Sequence, residues 1–223
     1  MPTIAKEAAD FAKRVEAIKT ATVNYVYELG QGMTRQELTV LVAQIDFTAL
    51  VNELGYGASV DQVAANYVNI LRGLDPIAPL SEEVLQALVN TDKAFLAGKG
   101  ADLANTMKRE LTQGIIGGSS RAQIAEAIKE VSGFRPDQVE TLIDTSQRVF
   151  SRSVTAAMAD ELPEETKYVY SGALDDKTRD ICVQMLSAGA LTRAEIEAEF
   201  GNAFIEGGGW NCRHSWRIAT RNE

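Results

Sequence analysis

The sequence predicts a mainly α protein, a helical body that carries a small α+β subdomain at its C-terminus. Three observations predict it. Helix starts recur down to residue 162, at Thr34, Ser59, Ser81, Ser120 and Pro136. One β-prone run, Thr22 to Tyr27, lies among them, and two more follow Pro163: Lys167-Tyr168-Val169-Tyr170-Ser171 and Ser215-Trp216-Arg217-Ile218. The stretch Gly207-Gly208-Gly209-Trp210-Asn211-Cys212-Arg213-His214-Ser215-Trp216 holds the only His, one of the two Cys and both Trp. No helix surface needs that mixture; it suits a tight loop running into a short strand.

In order, a first helix is expected from about Thr3 to Leu29. Its stripe is Ile4, Ala8, Phe11, Val15, Ile18, Thr22, Tyr25 and Leu29. The steps of four and three are those of a coiled-coil seam. Such a seam packs either inside the chain's own helical bundle or against a partner helix. Gly30 and Gly32 end the helix. Thr34-Arg35-Gln36-Glu37 is a capping box, and the helix behind it should run to about Leu54 before Gly55-Tyr56-Gly57. Ser59-Val60-Asp61-Gln62 reads as a second box, followed by an apolar face through Val60, Val63, Ala64, Tyr67, Val68 and Leu71.

Asp75-Pro76-Ile77-Ala78-Pro79 is a rigid turn. Ser81 opens a helix that Gly98-Lys99-Gly100 should interrupt, with a further helix to about Ile116. Ser120-Arg121-Ala122-Gln123 is another box, leading a short helix to Val131. Pro136 suits the first turn of a helix reaching about Leu162, with Val139, Leu142, Ile143, Val149, Phe150 and Val154 facing inward. After the first β-prone run, a helix through Met185 and a small one from Thr192-Arg193-Ala194-Glu195 to Phe200-Gly201 are expected. Ser215–Ile218 then pairs with Tyr168-Val169-Tyr170. The linear division is a helical region over 1–114 and a second domain over 115–223, with the α+β subdomain at 163–223.

At 223 residues, 45% hydrophobic and 24% charged, the chain has the make-up of a globular protein. No apolar run reaches membrane-spanning length, and no basic-then-apolar leader opens the chain. Two cysteines make no disulfide framework, which favours synthesis in a reducing cytoplasm. The net charge of −9 argues against a general nucleic-acid binder. Only the extreme end reverses sign, where Arg213, Arg217 and Arg221 face Glu223; a weak DNA contact would have to come from there.

For chemistry, a single His without a local nucleophile pattern and no phosphate-cradling glycine loop leave no compelling enzyme. The remote alternative is a hydrolase using His214 with Asp175. Cys182, Cys212 and His214 are ligand types that zinc takes, with Asp175 or Asp180 as a fourth. The preferred reading needs no cofactor: buried thiols, a hydrogen-bonded His214, and Arg213 paired with Asp175 or Asp180. A Cys182–Cys212 disulfide is a further alternative once outside the cell.

Asp175-Asp176-Lys177-Thr178-Arg179-x-x-Cys182, Leu191-Thr192-x-x-Glu195-Ile196 and Gly208-Gly209-Trp210-Asn211-Cys212-Arg213-His214-Ser215-Trp216 together resemble the pattern of tailed-phage minor head proteins, the phage head morphogenesis or Mu F-like family. Gly118-Ser119-x-x-x-x-Ile124-Ala125 and Glu140 to Arg152 extend the resemblance to about residues 115–218. Two departures stand out. Met185 sits where many members carry a second Cys, which weakens a four-ligand metal site, and Cys212-Arg213-His214 replaces Cys-Arg-Cys.

The resemblance implies a non-enzymatic structural protein of a tailed phage. Such a protein acts in head assembly at the portal vertex and in DNA packaging or ejection. It would assemble in the host cytoplasm and enter the virion. Its implied partners are the portal protein, the major capsid protein, or both, with no membrane. The seam residues Ile4, Phe11, Val15, Ile18, Tyr25 and Leu29 are the candidate partner or self-association surface. Asp175, Thr178, Arg179, Cys182, Cys212, Arg213, His214 and Trp216 are the candidate structural cluster. The alternative from another class is a small metal-stabilised module that contacts DNA through its basic tail.

Overall fold

The computed structural model describes residues 4–73 and 80–220. The turn read at Asp75–Pro79, the side chains of Ile4 and Val68, and Arg221 lie outside what it describes. The fold is mainly α with a small α+β part at the C-terminus, as the sequence predicts. Among the described residues seven helices come first: α1 Ile4–Leu29, α2 Arg35–Gln44, α3 Phe47–Glu53, α4 Tyr56–Gly73, α5 Glu82–Gly117, α6 Arg121–Lys129 and α7 Pro136–Ala159. Then follow β1 Lys167–Ser171, α8 Asp180–Ser187, β2 Leu191–Thr192, α9 Arg193–Phe200, α10 Ala203–Glu206 and β3 Ser215–Ile218. Among the described residues no helix is long and apolar enough to cross a membrane.

Contacts group the chain into two compact units that do not follow its linear order: residues 1–65 with 93–143, and residues 66–92 with 144–223. In the first unit α1 packs on α6 and α3. Phe11 meets the Tyr56 ring edge-on at 5.5 Å. Phe11, Val15 and Ile18 are fully buried within the chain's own core, so the middle of the seam is not a partner surface. The regular 4-3 rhythm is consumed by the bundle itself. Thr22, the polar entry in that stripe, satisfies its hydroxyl on the Ile18 carbonyl at 2.9 Å. Tyr25 and Leu29, at the end of α1, stay 43% and 49% exposed. Lys19 is buried beside the stripe, where its ammonium donates to the carbonyls of Phe134 and Lys129 and pairs with Glu16.

Three local expectations are corrected in this unit. The helix from Thr34 stops at Gln44 and restarts, because Asp46 caps α3 by accepting from the Ala49 amide at 3.0 Å. Ser59 is not a cap: α4 begins at Tyr56, and the Ser59 hydroxyl donates back to the Gly55 carbonyl. Gly98-Lys99-Gly100 does not interrupt α5, which runs unbroken for 36 residues. At Gly100 a Cβ would lie 2.5 Å from the Tyr56 ring, whose hydroxyl donates to the Leu96 carbonyl at 3.0 Å. The glycine makes room for a tyrosine; it does not break a helix.

In the second unit Tyr67 stacks on Phe150 at 3.9 Å, and Ser146 donates to the Asp92 carboxylate. The three strands form an antiparallel sheet in the order β2-β1-β3. The β1–β3 pairing matches the sequence expectation, with Tyr170 opposite Trp216; the short strand β2 was not foreseen. Tyr168, Tyr170 and Trp216 enter one apolar core with Ala156 and Ala159 of α7, Met185 of α8, Ile196 of α9 and Phe204 of α10. The capping boxes at Thr34, Ser120 and Thr192 all form.

Candidate functional site

The site lies at the end of the β1–β3 ladder. Alternation along β1 puts Tyr168 and Tyr170 inward. Tyr170 leans on Trp216 at 4.9 Å and stacks against His214 at 5.5 Å. Trp216 is buried in the apolar core. Between α10 and β3 the chain reverses through Gly207 (φ 59°), Gly209 (φ 94°) and Asn211 (φ 56°). Those left-handed conformations explain the first and last of the three glycines. Gly208 has a different reason: a Cβ there would lie 2.2 Å from the Cys182 sulfur.

Helix α8 turns Cys182 and Met185 inward. Cys182 Sγ lies 3.8 Å from Cys212 Sγ, and both cysteines are free and buried. His214 Nδ1 is 3.7 Å from Cys212 Sγ. His214 Nε2 is 2.8 Å from the Ala173 carbonyl. A carbonyl only accepts, so Nε2 is the ring nitrogen that donates to Ala173, and Nδ1 is the one that faces the sulfur. The Tyr170 hydroxyl lies 3.2 Å from Cys212 Sγ. Burial raises the Cys212 thiol, and hydrogen bonding, with Tyr170 first and then the backbone at His214 and Gly208, brings it down. Burial and the neighbouring Cys212 push Cys182 the other way.

Two arginines tie the loops. Arg213 grips Asp175 bidentately, at 2.8 and 2.5 Å. That hydrogen-bonded pair, offset in part by desolvation, holds the Asp175 carboxyl well below the usual carboxylate range. Asp175 also accepts from the Lys177 amide and the Thr178 hydroxyl, and Thr178 donates to the Ala173 carbonyl. Arg213 therefore pairs with Asp175, not Asp180. Arg179 donates to the carbonyls of Gly208 and Trp210, pinning the glycine loop to the start of α8.

A third arginine was missed in the sequence. Arg152 of α7 is only 3% exposed and donates to the carbonyls of Ile205, Cys212 and His214. It closes the family-like segment Glu140 to Arg152, which was its only signal. Tyr170 was missed as well, although strand alternation placed it inward beside Tyr168.

The site residues thus fall into three neighbouring sets. Cys182, Cys212 and His214 form a buried cluster whose ligand atoms all lie within 4.8 Å of one another. Asp175, Thr178 and Arg213 form a polar clasp, and Arg179 holds the glycine loop. Neither Asp175 nor Asp180 joins the sulfur–imidazole cluster. A cavity of about 260 Å³ opens onto that cluster and is also lined by Lys177, Arg179, Asn211 and Arg213. His214 and Asp175 have other partners, Ala173 and Cys212 for the one and Arg213 for the other, so they do not make a hydrolytic pair.

The chain thus ends in a small sheet whose loops are clamped by arginines around a buried Cys/Cys/His cluster. The family model described as phage Mu protein F like protein matches residues 105–216, half of the chain. The chain belongs to this family, a phage head morphogenesis family. No curated protein and no solved structure matches it.

Proposed function

We propose that the protein is a minor head protein of a tailed phage, acting in head assembly at the portal vertex and carried into the virion. Its partners in this reading are the portal protein, the major capsid protein, or both, met in the host cytoplasm during assembly. The observation that carries the reading is the family match over residues 105–216, which contains the whole arginine-clamped network. Arg152, Arg179 and Arg213 each donate to backbone carbonyls or to Asp175 of the same unit. Such groups hold a shape, as a scaffold-binding part requires. Among the described residues of α1, the large apolar side chains left exposed for a partner or a second copy are Tyr25 and Leu29 at its C-terminal end.

The test is mass spectrometry of purified particles together with capture of this chain on immobilised portal. Presence in mature heads at low copy number, with retention on the portal, is the expected result. Absence from assembling heads and mature particles alike, with no retention on portal or capsid protein, would sink the assignment.

A further inference from the structure

We infer that Cys182, Cys212 and His214 form a zinc site that fastens the glycine loop to helix α8. The three donors arrive from two segments: Cys182 from the first turn of α8, and Cys212 and His214 from the connection between α10 and β3. All three are buried, and their ligand atoms lie within 4.8 Å of one another. Two thiols and an imidazole are the borderline-soft set that zinc takes, and oxygen-seeking cations avoid it.

The distances suit a tetrahedral ion. Zinc–sulfur bonds of about 2.3 Å and a zinc–nitrogen bond of about 2.0 Å put the sulfurs roughly 3.8 Å apart and sulfur to nitrogen roughly 3.5 Å. Two of the three separations, Cys182 to Cys212 and Cys212 to His214, are 3.8 Å and 3.7 Å, and the third is within 4.8 Å, which a small shift of one side chain would close. His214 is also oriented as a ligand. Its Nε2–H is spent on the Ala173 carbonyl, which leaves Nδ1 bare on the side of Cys212. A ligating histidine characteristically donates its other ring nitrogen in this way.

The surroundings support the site. A Cβ at Gly208 would lie 2.2 Å from Cys182 Sγ, and one at Gly172 would lie 2.2 Å from His214 Cδ2. Both glycines leave space for a ligand atom's own side chain. Arg152 binds the carbonyls of Cys212 and His214 and so pins the backbone on which two of the three ligands sit. No fourth protein donor joins them among the described residues. The remaining lining of the adjoining cavity, Lys177, Arg179, Asn211 and Arg213, offers cations and an amide. Asp175 is already held by Arg213. The fourth position therefore falls to water from the cavity.

This inference stands apart from the assembly role, because metal content is read on the isolated chain and assembly on particles. The full chain, purified without chelator, should hold one zinc per molecule. After metal removal, cobalt(II) titration should produce a near-ultraviolet thiolate-to-metal band and the visible bands of a tetrahedral ion, all displaced by zinc. Gly208→Ala should weaken zinc binding about ten- to a hundredfold by pushing on Cys182. Asp175→Asn should leave the stoichiometry unchanged. Failure of the unaltered chain to retain zinc or to develop the thiolate–cobalt band would overturn the site. Full zinc retention in the Cys182→Ser, Cys212→Ser double variant would overturn it as well. The cobalt titration needs no variant and holds even if the substituted chains fail to fold.

Discussion

Arg152 Nη1 donates to the carbonyl oxygen of Cys212 at 3.2 Å across a separation of 60 residues. The guanidinium has been taken out of water, and that burial lowers its pKa. Its compensation is a set of carbonyls on the loop between α10 and β3. Arg152→Met should destabilise the chain by about 3 kcal/mol, since charged hydrogen bonds are lost and buried acceptors are stranded. Arg152→Lys should recover little, because an ammonium cannot span three carbonyls as a planar fork does. Urea unfolding of the two variants checks this; equal stability of Arg152→Met and wild type would refute it.

Trp216 carries the apolar side of the same subdomain. It is buried between Tyr170 and Phe200. Trp216→Ala should cost about 3–5 kcal/mol through the cavity it leaves. Thermal unfolding followed by near-ultraviolet circular dichroism reads the effect.

The Arg213–Asp175 clasp gives a pH dependence with a definite sign. The folded-state Asp175 carboxyl sits below its ordinary value, first because Arg213 hydrogen-bonds to it. Its contribution is therefore complete above the unfolded value of about 3.9 and fades as pH falls below it toward the folded value. Unfolding midpoints of wild type and Asp175→Asn should differ near neutrality and converge in acid. A gap that widens on acidification would contradict the assignment.

Two glycines in α5 should respond oppositely to the same change. Nothing lies within 4 Å of a Cβ placed at Gly98. Gly98→Ala should thus stabilise by about 0.8–1.0 kcal/mol through helix propensity. Gly100→Ala drives its methyl into the Tyr56 ring, and overpacking should cost about 1–3 kcal/mol, outweighing that gain. Chemical denaturation of both variants decides; stabilisation at both positions would mean that the Tyr56 contact yields freely.

What the sequence determined by itself was whatever rests on neighbours in the chain. The boxes at Thr34, Ser120 and Thr192 formed because the two partners of each lie three residues apart. The strand at Lys167–Ser171 and its pairing with Ser215–Ile218 followed from β-prone composition and the single economical topology. The residues of the C-terminal cluster were legible because glycine, cysteine, histidine and arginine crowd into two short stretches.

Tertiary packing decided the rest. Gly100 reads as a breaker until Tyr56, 44 positions earlier, is seen to need its space. The seam of α1 offers the same rhythm to a partner helix or to the chain itself, and the burial of Phe11, Val15 and Ile18 settled it as the chain's own. Arg152 carried no local mark of burial, because its acceptors are carbonyls at least 53 residues away. Spacing named Cys182, Cys212 and His214 as ligand types. Only the fold could bring their ligand atoms within 4.8 Å of one another and place the Ala173 carbonyl on Nε2. Local chemistry is set by the covalent order of the residues; convergence across 30 or more positions is set by burial and close packing.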